Sequence, residues 1–300
     1  MKNRLKCLIQ LLLVVTVFGT GGCASLPQKT LDTHRQAEAA MMGGDNLVRQ
    51  GDLDRALAAY VNALYLDPEM VEAHYRVGNI HYYKGNLELA EKAYKKVLEG
   101  SKDHAGALEG LGLIFIRERR FEEAEGLLKR ALVADPKRWR AHNALGVVAD
   151  MRKDYAGAEA HYQAGLRVEP EQPTLLANLG YSKYSAGKWD AAQSFYQRAL
   201  TNDSQHQKAW SNLGLLYVRQ GKYENAMDAF TRVMSESQAS NNIGYLCMHD
   251  GKYELAKQYF LEAIKLSPSY DESAHSNLEK LRVLAEHSPA RASPEVGECK

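Results

Sequence analysis

Cysteine is scarce in this 300-residue sequence, with only Cys7, Cys23, Cys247 and Cys299. An oxidising compartment permits a bond between the last two. Spacing does not fix connectivity, and both are read as unpaired thiols. A surplus of basic charge is also absent: 38 Lys and Arg stand against 37 Asp and Glu. Nucleic-acid binders carry a basic stripe, and none is present. Only one long apolar run occurs, near the start, and no later stretch is apolar enough to cross a bilayer. Catalytic signatures are missing too. The ten histidines are scattered, without H-E-x-x-H or other metal-ligand spacing. "GYSKYSAGK" and "GLLYVRQGK" only faintly resemble phosphate loops. Their glycines are seven apart, the residue after each Lys is aromatic, and the surroundings are helical; a P-loop needs G-x-x-x-x-G-K-[ST] after a strand. The expectation is a protein that is no enzyme, holds no cofactor or metal, and binds no nucleic acid.

What is present begins with an address. Lys2, Arg4 and Lys6 precede the apolar run, residues 7–18, which only Gln10 and Thr16 interrupt. Roughly a dozen residues is short of the about 20 that span a bilayer, and fits the core of a secretory signal. Small residues follow, Gly19 to Gly22, and then Cys23. Small residues directly before Cys resemble the lipobox of bacterial lipoproteins, although Thr20 stands where that family usually has an aliphatic residue. The resemblance implies cleavage before Cys23 and lipidation of Cys23. The alternative is plain secretion with Cys23 as an incidental thiol. Two or more acyl chains hold a protein firmly to a membrane where one does not. Ala24, in place of the Asp that tends to retain such proteins in the inner membrane, implies the periplasmic face of the outer membrane. Loss of residues 1–22 removes three basic residues and leaves the rest near neutral.

The body is periodic. Gly44, Gly78, Gly112, Gly146, Gly180 and Gly214 are 34 apart, and Gly244 follows 30 later. Ala56, Ala90, Ala124, Ala158, Ala192, Ala226 and Ala256 keep the same register. Large residues recur at two further places: Leu53, Leu87, Phe121, Tyr155, Trp189, Tyr223 and Tyr253, then Tyr60, Tyr94, Leu128, Tyr162, Tyr196, Phe230 and Phe260. A fixed period of this length marks a repeat array. The frame, clearest in "WSNLGLLYVRQGKYENAMDAFTRVM", resembles the tetratricopeptide repeat (TPR). The predicted fold is therefore all-α: a TPR superhelical solenoid of about seven helix-turn-helix units plus a C-terminal capping helix. Turns are expected at Gly51, Gly85, Gly187, Gly221 and Gly251. Pro68, Pro136, Pro170 and Pro268 are expected to close second helices, since proline removes a donor and clashes inside a helix.

The expected organisation is a signal peptide at 1–22, a lipidated tether and the start of the first helix at 23–36, and seven units over 37–270. A capping helix at 271–287, with Leu278, Leu281 and Leu284 on its inner face, and a disordered tail at 288–300 complete it. Residues 24–30 read as the tether. The drop to a 30-residue period, through "SESQASNN", predicts a shortened second helix in the sixth unit.

Arrays of this kind bind on the face lined by their first helices. The TPR resemblance places five positions of each unit there. Those positions hold Tyr75, Tyr82, Tyr83, Tyr181, Tyr184 and Tyr245, with Leu113, Ile116, Val147, Leu215 and Val218 between them. Tyrosine offers large contact area with a polar tip, and the same residues also suit packing between helices. Asn178, Asn212 and Asn242 share one unit position. An amide both donates and accepts, so these could grip a peptide backbone, or could simply be common before Leu-Gly in this repeat. The Lys, Arg and Asn set of the carboxylate-clamping TPRs is incomplete.

The block "ASNNIGYLCMHDGKYELAKQYFLEAIKLSPSYDESAHSNLEKL" resembles the TadD-type lipoproteins of the tight-adherence (Flp) pilus. The resemblance implies a lipid-anchored scaffold with protein partners, assisting a Flp or type IV-like pilus or its outer-membrane secretin. The alternative is a TPR lipoprotein adaptor that docks peptidoglycan hydrolases or other envelope machinery.

Overall fold

The structure, a computed structural model, describes residues 28–267 and 271–287. The expected signal peptide, Cys23, Pro268, Cys299 and the expected tail lie outside the described residues. All regular elements among the described residues are helices, and the chain divides into two compact bodies after Lys102.

The first body holds α1 (Gln28–Arg49), α2 (Leu53–Leu66), α3 (Val71–Tyr83) and α4 (Leu87–Gly100). Helix α1 starts at Gln28, so the expected tether through residue 30 is too long. Pro27 is the last helix-incompatible residue before it. From Gln28 to Met42 the sequence has neither Gly nor Pro, and Leu, Ala, Gln and Glu favour helix. Asp52 caps α2 by accepting from the Arg55 N–H at 3.1 Å, which satisfies one of the orphan donors of a helix start. The helix ends at Leu66, just before Pro68. Ala37, Ala63, Met70 and Ala73 form one buried cluster, and Ala56, Tyr60 and Ile80 another.

The second body holds α5 (Ala105–Arg117), α6 (Phe121–Ala134), α7 (Trp139–Met151), α8 (Tyr155–Val168), α9 (Pro173–Ser185), α10 (Trp189–Asn202), α11 (Gln207–Arg219), α12 (Tyr223–Thr231), α13 (Glu236–His249), α14 (Tyr253–Leu266) and α15 (Glu272–His287). Each odd-numbered helix from α5 to α13 packs on the even one after it and also adjoins the next odd one. A layer of first helices therefore lies beside a layer of second helices. Helix α12 has 9 residues against 14 in α10 and α14. The chain leaves it after Thr231 and restarts at Ser235. There Ser235 and Gln238 cap each other's backbone in a capping box.

The recurrent glycines explain how closely the paired helices approach. A Cβ added at Gly180 would stand 2.6 Å from the Tyr196 ring, and one at Gly214 would stand 2.7 Å from Phe230. Such contacts leave no room for a side chain. The turn glycines are different: Gly51 and Gly85 adopt φ +80 with open space around them. They are chosen for left-handed backbone, which costs glycine little. Arg119 and Lys153 take the same turn position at φ 63 and 60, without glycine's freedom.

In α15, Ala274 and Leu281 are buried and Leu278 packs on the core around Ile243 and Cys247. Leu284 does not belong to that inner face; it is 45% exposed, because the cluster that takes Leu278 and Leu281 ends before the last turn. Cys247 is buried and has no disulfide partner among the described residues.

Candidate functional site

The expected site residues divide between the two bodies. On α3, Tyr75 is half-buried, with its ring 6.1 Å from that of Tyr94 and the Arg76 guanidinium 5.8 Å from its centroid. Tyr82 is also half-buried, whereas Tyr83 is 79% exposed. Tyr83 borders a groove of about 820 Å³ together with Asp45, Val48, Arg76 and Asn79. The wall of that groove is held by charge. Tyr60 Oη donates to Asp45 Oδ1 at 2.6 Å, and Arg76 Nε donates to the same oxygen at 3.0 Å. Glu72 takes a second Arg76 nitrogen at 2.6 Å. Burial works against the Asp45 charge, but the hydrogen bonds from Tyr60 and Arg76 outweigh it and hold the carboxyl below its ordinary range.

In the second body, Tyr181 and Tyr184 lie on α9, with rings stacked at 6.3 Å. They are three apart and so share a helix face. Tyr181 is 45% exposed. Tyr184 packs on the cluster of Ala192, Tyr196, Leu213 and Leu216. Arg219 Nε donates to Tyr184 Oη at 3.4 Å, and Arg219 Nη1 donates to Asp250 Oδ1 at 2.6 Å. Tyr245 on α13 is 43% exposed and meets the edge of His249 at 4.5 Å. Leu113, Ile116, Val147 and Leu215 are half-buried. Val218 is a core residue, 2% exposed and packed with Phe230 and Ile243, so it offers no surface to a partner.

The three asparagines have different surroundings. Asn178 Nδ2 donates to Asn143 Oδ1 at 2.7 Å, which ties α9 to α7. Asn242 Nδ2 faces Met234 Sδ at 3.2 Å. Asn212 is half-buried and makes no side-chain hydrogen bond among the described residues. Periodicity did not mark Asn143, Arg219 or Asn277, whose Nδ2 donates to Asn241 Oδ1 at 3.1 Å. These polar bridges join successive first helices at spacings of 31 to 36 residues, and so drift off the repeat period.

A buried ion pair supports the same layer. Arg138 Nε and Nη2 donate to Glu109 Oε2 and Oε1 at 3.0 and 3.3 Å. Among the described residues no group of His, Cys, Asp and Glu could hold a metal ion, and no helix is long and apolar enough to cross a membrane.

The fold recurs in solved structures. A tetratricopeptide repeat protein from Parabacteroides merdae aligns with a TM-score of 0.58 at 18% identity, covering 83% of this chain and 99% of its own. Pseudomonas aeruginosa PilF aligns at 0.54 and 20% identity, covering 84% and 99%. PilW, described as a widely conserved type IV pilus biogenesis factor, aligns at 0.52 and 19% identity, covering 81% and 98%. At these identities the likeness is one of fold, a TPR solenoid of the kind that serves as a protein-interaction module. No curated protein matches the sequence. The chain belongs to the family described as the Cilia and flagella-associated protein 70 C-terminal domain, which it matches over residues 8–232, and residues 237–270 match the tetratricopeptide repeat.

Proposed function

We propose that this protein is a scaffold held by lipid on Cys23 to the periplasmic face of the outer membrane, where it assists assembly of a tight-adherence (Flp) or type IV-like pilus or of its secretin. One observation carries the scaffold reading. The first helices leave Tyr83, Tyr181 and Tyr245 at 79%, 45% and 43% exposure, at positions that TPR folds turn toward partners. Large aromatics left in solvent are well suited to contact. The pilus part is supported by the TadD-like C-terminal block, and by a fold shared with PilF and the pilus biogenesis factor PilW. An anchor confines the helix faces to one membrane surface and raises their effective concentration for membrane partners. An extended or helical segment of the partner is then held until assembly.

The test is crosslinking of tagged protein in intact cells, followed by mass spectrometry of captured partners. Capture of a secretin or pilus assembly component, lost when Tyr83 and Tyr181 are changed to alanine, is expected. Capture of peptidoglycan hydrolases without a secretin would overturn the pilus assignment. Release of the protein from membranes by Cys23→Ser tests the anchor separately.

A further inference from the structure

Tyr196 carries a buried donor that nothing answers. Its side chain is fully buried on α10, and its Oη has no hydrogen-bond partner among the described residues. Equivalent tyrosines show what is missing. Tyr60 donates to Asp45 and Tyr94 to Asn79, each 15 residues earlier; Tyr162 donates to Asp150, 12 residues earlier. Before Tyr196 those two places hold Tyr181 and Tyr184. Neither supplies an acceptor within reach. Where the repeat needs no hydroxyl it uses Leu128, Phe230 or Phe260, so a tyrosine is not demanded by packing. Leaving a buried donor unmade is costly, and such groups call for an explanation.

The surroundings point outward. Burial and the neighbouring Tyr184 and Tyr181 push the Tyr196 phenol up, so it stays a donor at neutral pH. Tyr181 is partly in solvent and stacked on Tyr184 alone among the described rings, so of the two neighbours it is the one a partner would have to displace to reach the hydroxyl. Arg219 reaches Tyr184 Oη at 3.4 Å while its Nη1 is paired with Asp250, so it holds Tyr184 in place and leaves the recognition to the Tyr196 hydroxyl. We propose that Tyr196, Tyr181 and Tyr184 form a reading site for an Asp or Asn side chain of a partner's extended segment. That side chain supplies in trans the oxygen that Asp45, Asn79 and Asp150 supply in cis, while an adjoining apolar side chain of the segment stacks on Tyr181. This rests on the partner-binding reading above, but not on the pilus.

The test uses full-length protein in detergent, panned against a random phage-displayed peptide library, with affinities measured by fluorescence anisotropy. Enriched peptides are expected to carry Asp or Asn beside an apolar residue. Tyr196→Phe keeps the ring and removes only the unanswered donor, so its Tm should be unchanged or higher while peptide affinity falls about tenfold. Changing the peptide's Asp or Asn to Ala should weaken wild-type binding equally and add nothing against Tyr196→Phe, the signature of a direct pair. Tyr181→Asn, which installs the acceptor of the second unit, should weaken binding at least as much. Equal binding by Tyr196→Phe, a motif without Asp or Asn, or no enriched peptide would each overturn the proposal. If the site reads peptides while crosslinking captures no pilus component, the site stands and the pilus assignment falls.

Discussion

Gly146 on α7 lies under the ring of Tyr162 on α8: a methyl group added to the glycine would stand 2.5 Å from Tyr162 Cε1. The ring cannot retreat easily, because Tyr162 is buried and its hydroxyl donates to Asp150 at 2.8 Å. Gly146→Ala should therefore destabilise the protein by about 1–3 kcal/mol through overpacking. Gly126 is the control. It lies inside α6, and an added Cβ would meet nothing within 4 Å. Gly126→Ala should stabilise by up to about 1 kcal/mol from helix propensity. Urea denaturation of both variants checks the opposite signs.

Arg119 and Lys153 hold left-handed backbone at φ 63 and 60. An L side chain there costs about 1–2 kcal/mol, and the other turns of this kind use glycine. Arg119→Gly and Lys153→Gly should each raise stability, by about 1 kcal/mol after glycine's greater unfolded-state entropy is counted. Gly187→Ala, at φ +75, should lower it. Thermal melts of the single variants and of the Arg119→Gly/Lys153→Gly pair should show roughly additive gains, since the two turns are remote in sequence and share no hydrogen-bond partner.

The glycine and aromatic periods were legible because steric contact repeats with the unit: Gly180 under Tyr196 and Gly214 under Phe230 obey one spacing. The proline-terminated second helices were legible because proline cannot continue a helix, and the shortened α12 because the period drops to 30 there. Polar partnerships were not. Tyr60 and Tyr162 find acceptors at different spacings, and Asn143 reaches Asn178 across 35 residues rather than 34. A hydrogen bond needs only one nearby oxygen, so several positions can serve. In the candidate site, the Tyr181–Tyr184 stack follows from their spacing on one helix. The burial of Val218 does not, because its position suits either the core or the partner face.

Glu109 is 5% exposed and is bound through both oxygens by Arg138. Removing one member of a buried pair leaves the other uncompensated. Arg138 is less buried than its partner and also lies 3.7 Å from Asp135, which softens the loss. Glu109→Ala should cost near the lower end of about 3–5 kcal/mol. Glu109→Leu combined with Arg138→Met should recover much of that loss by replacing charge with packing. Chemical denaturation of both variants distinguishes a pair needed for stability from one that merely satisfies itself.

Stability should also fall in mild acid. His142 and His161 have rings 6.2 Å apart. Burial, followed by His161 and nearby Arg167, holds His142 below the usual imidazole range; burial, followed by Lys129, does the same to His161 against the opposing pull of Glu125 and Asp154. Burial also lowers His206, whose Nδ1 accepts from the Ala209 N–H at 3.2 Å and cannot do so once protonated. Below the ordinary value of 6.5 the unfolded chain therefore binds protons that the folded chain refuses. Stability is full above that pH and declines as pH drops below it. Asp45, Glu125 and Glu171, whose carboxyls are held low in the fold, lose their contribution only in stronger acid, while Asp150, raised by burial, opposes that later loss. Melting temperature should thus be flat near neutrality and drop by several degrees between about pH 6.5 and 5. His142→Gln/His161→Gln should shrink that first drop, leaving the part due to His206 and the similarly lowered His81 and the stronger-acid loss in place, whereas an unchanged profile would move the acid sensitivity away from the His142–His161 pair.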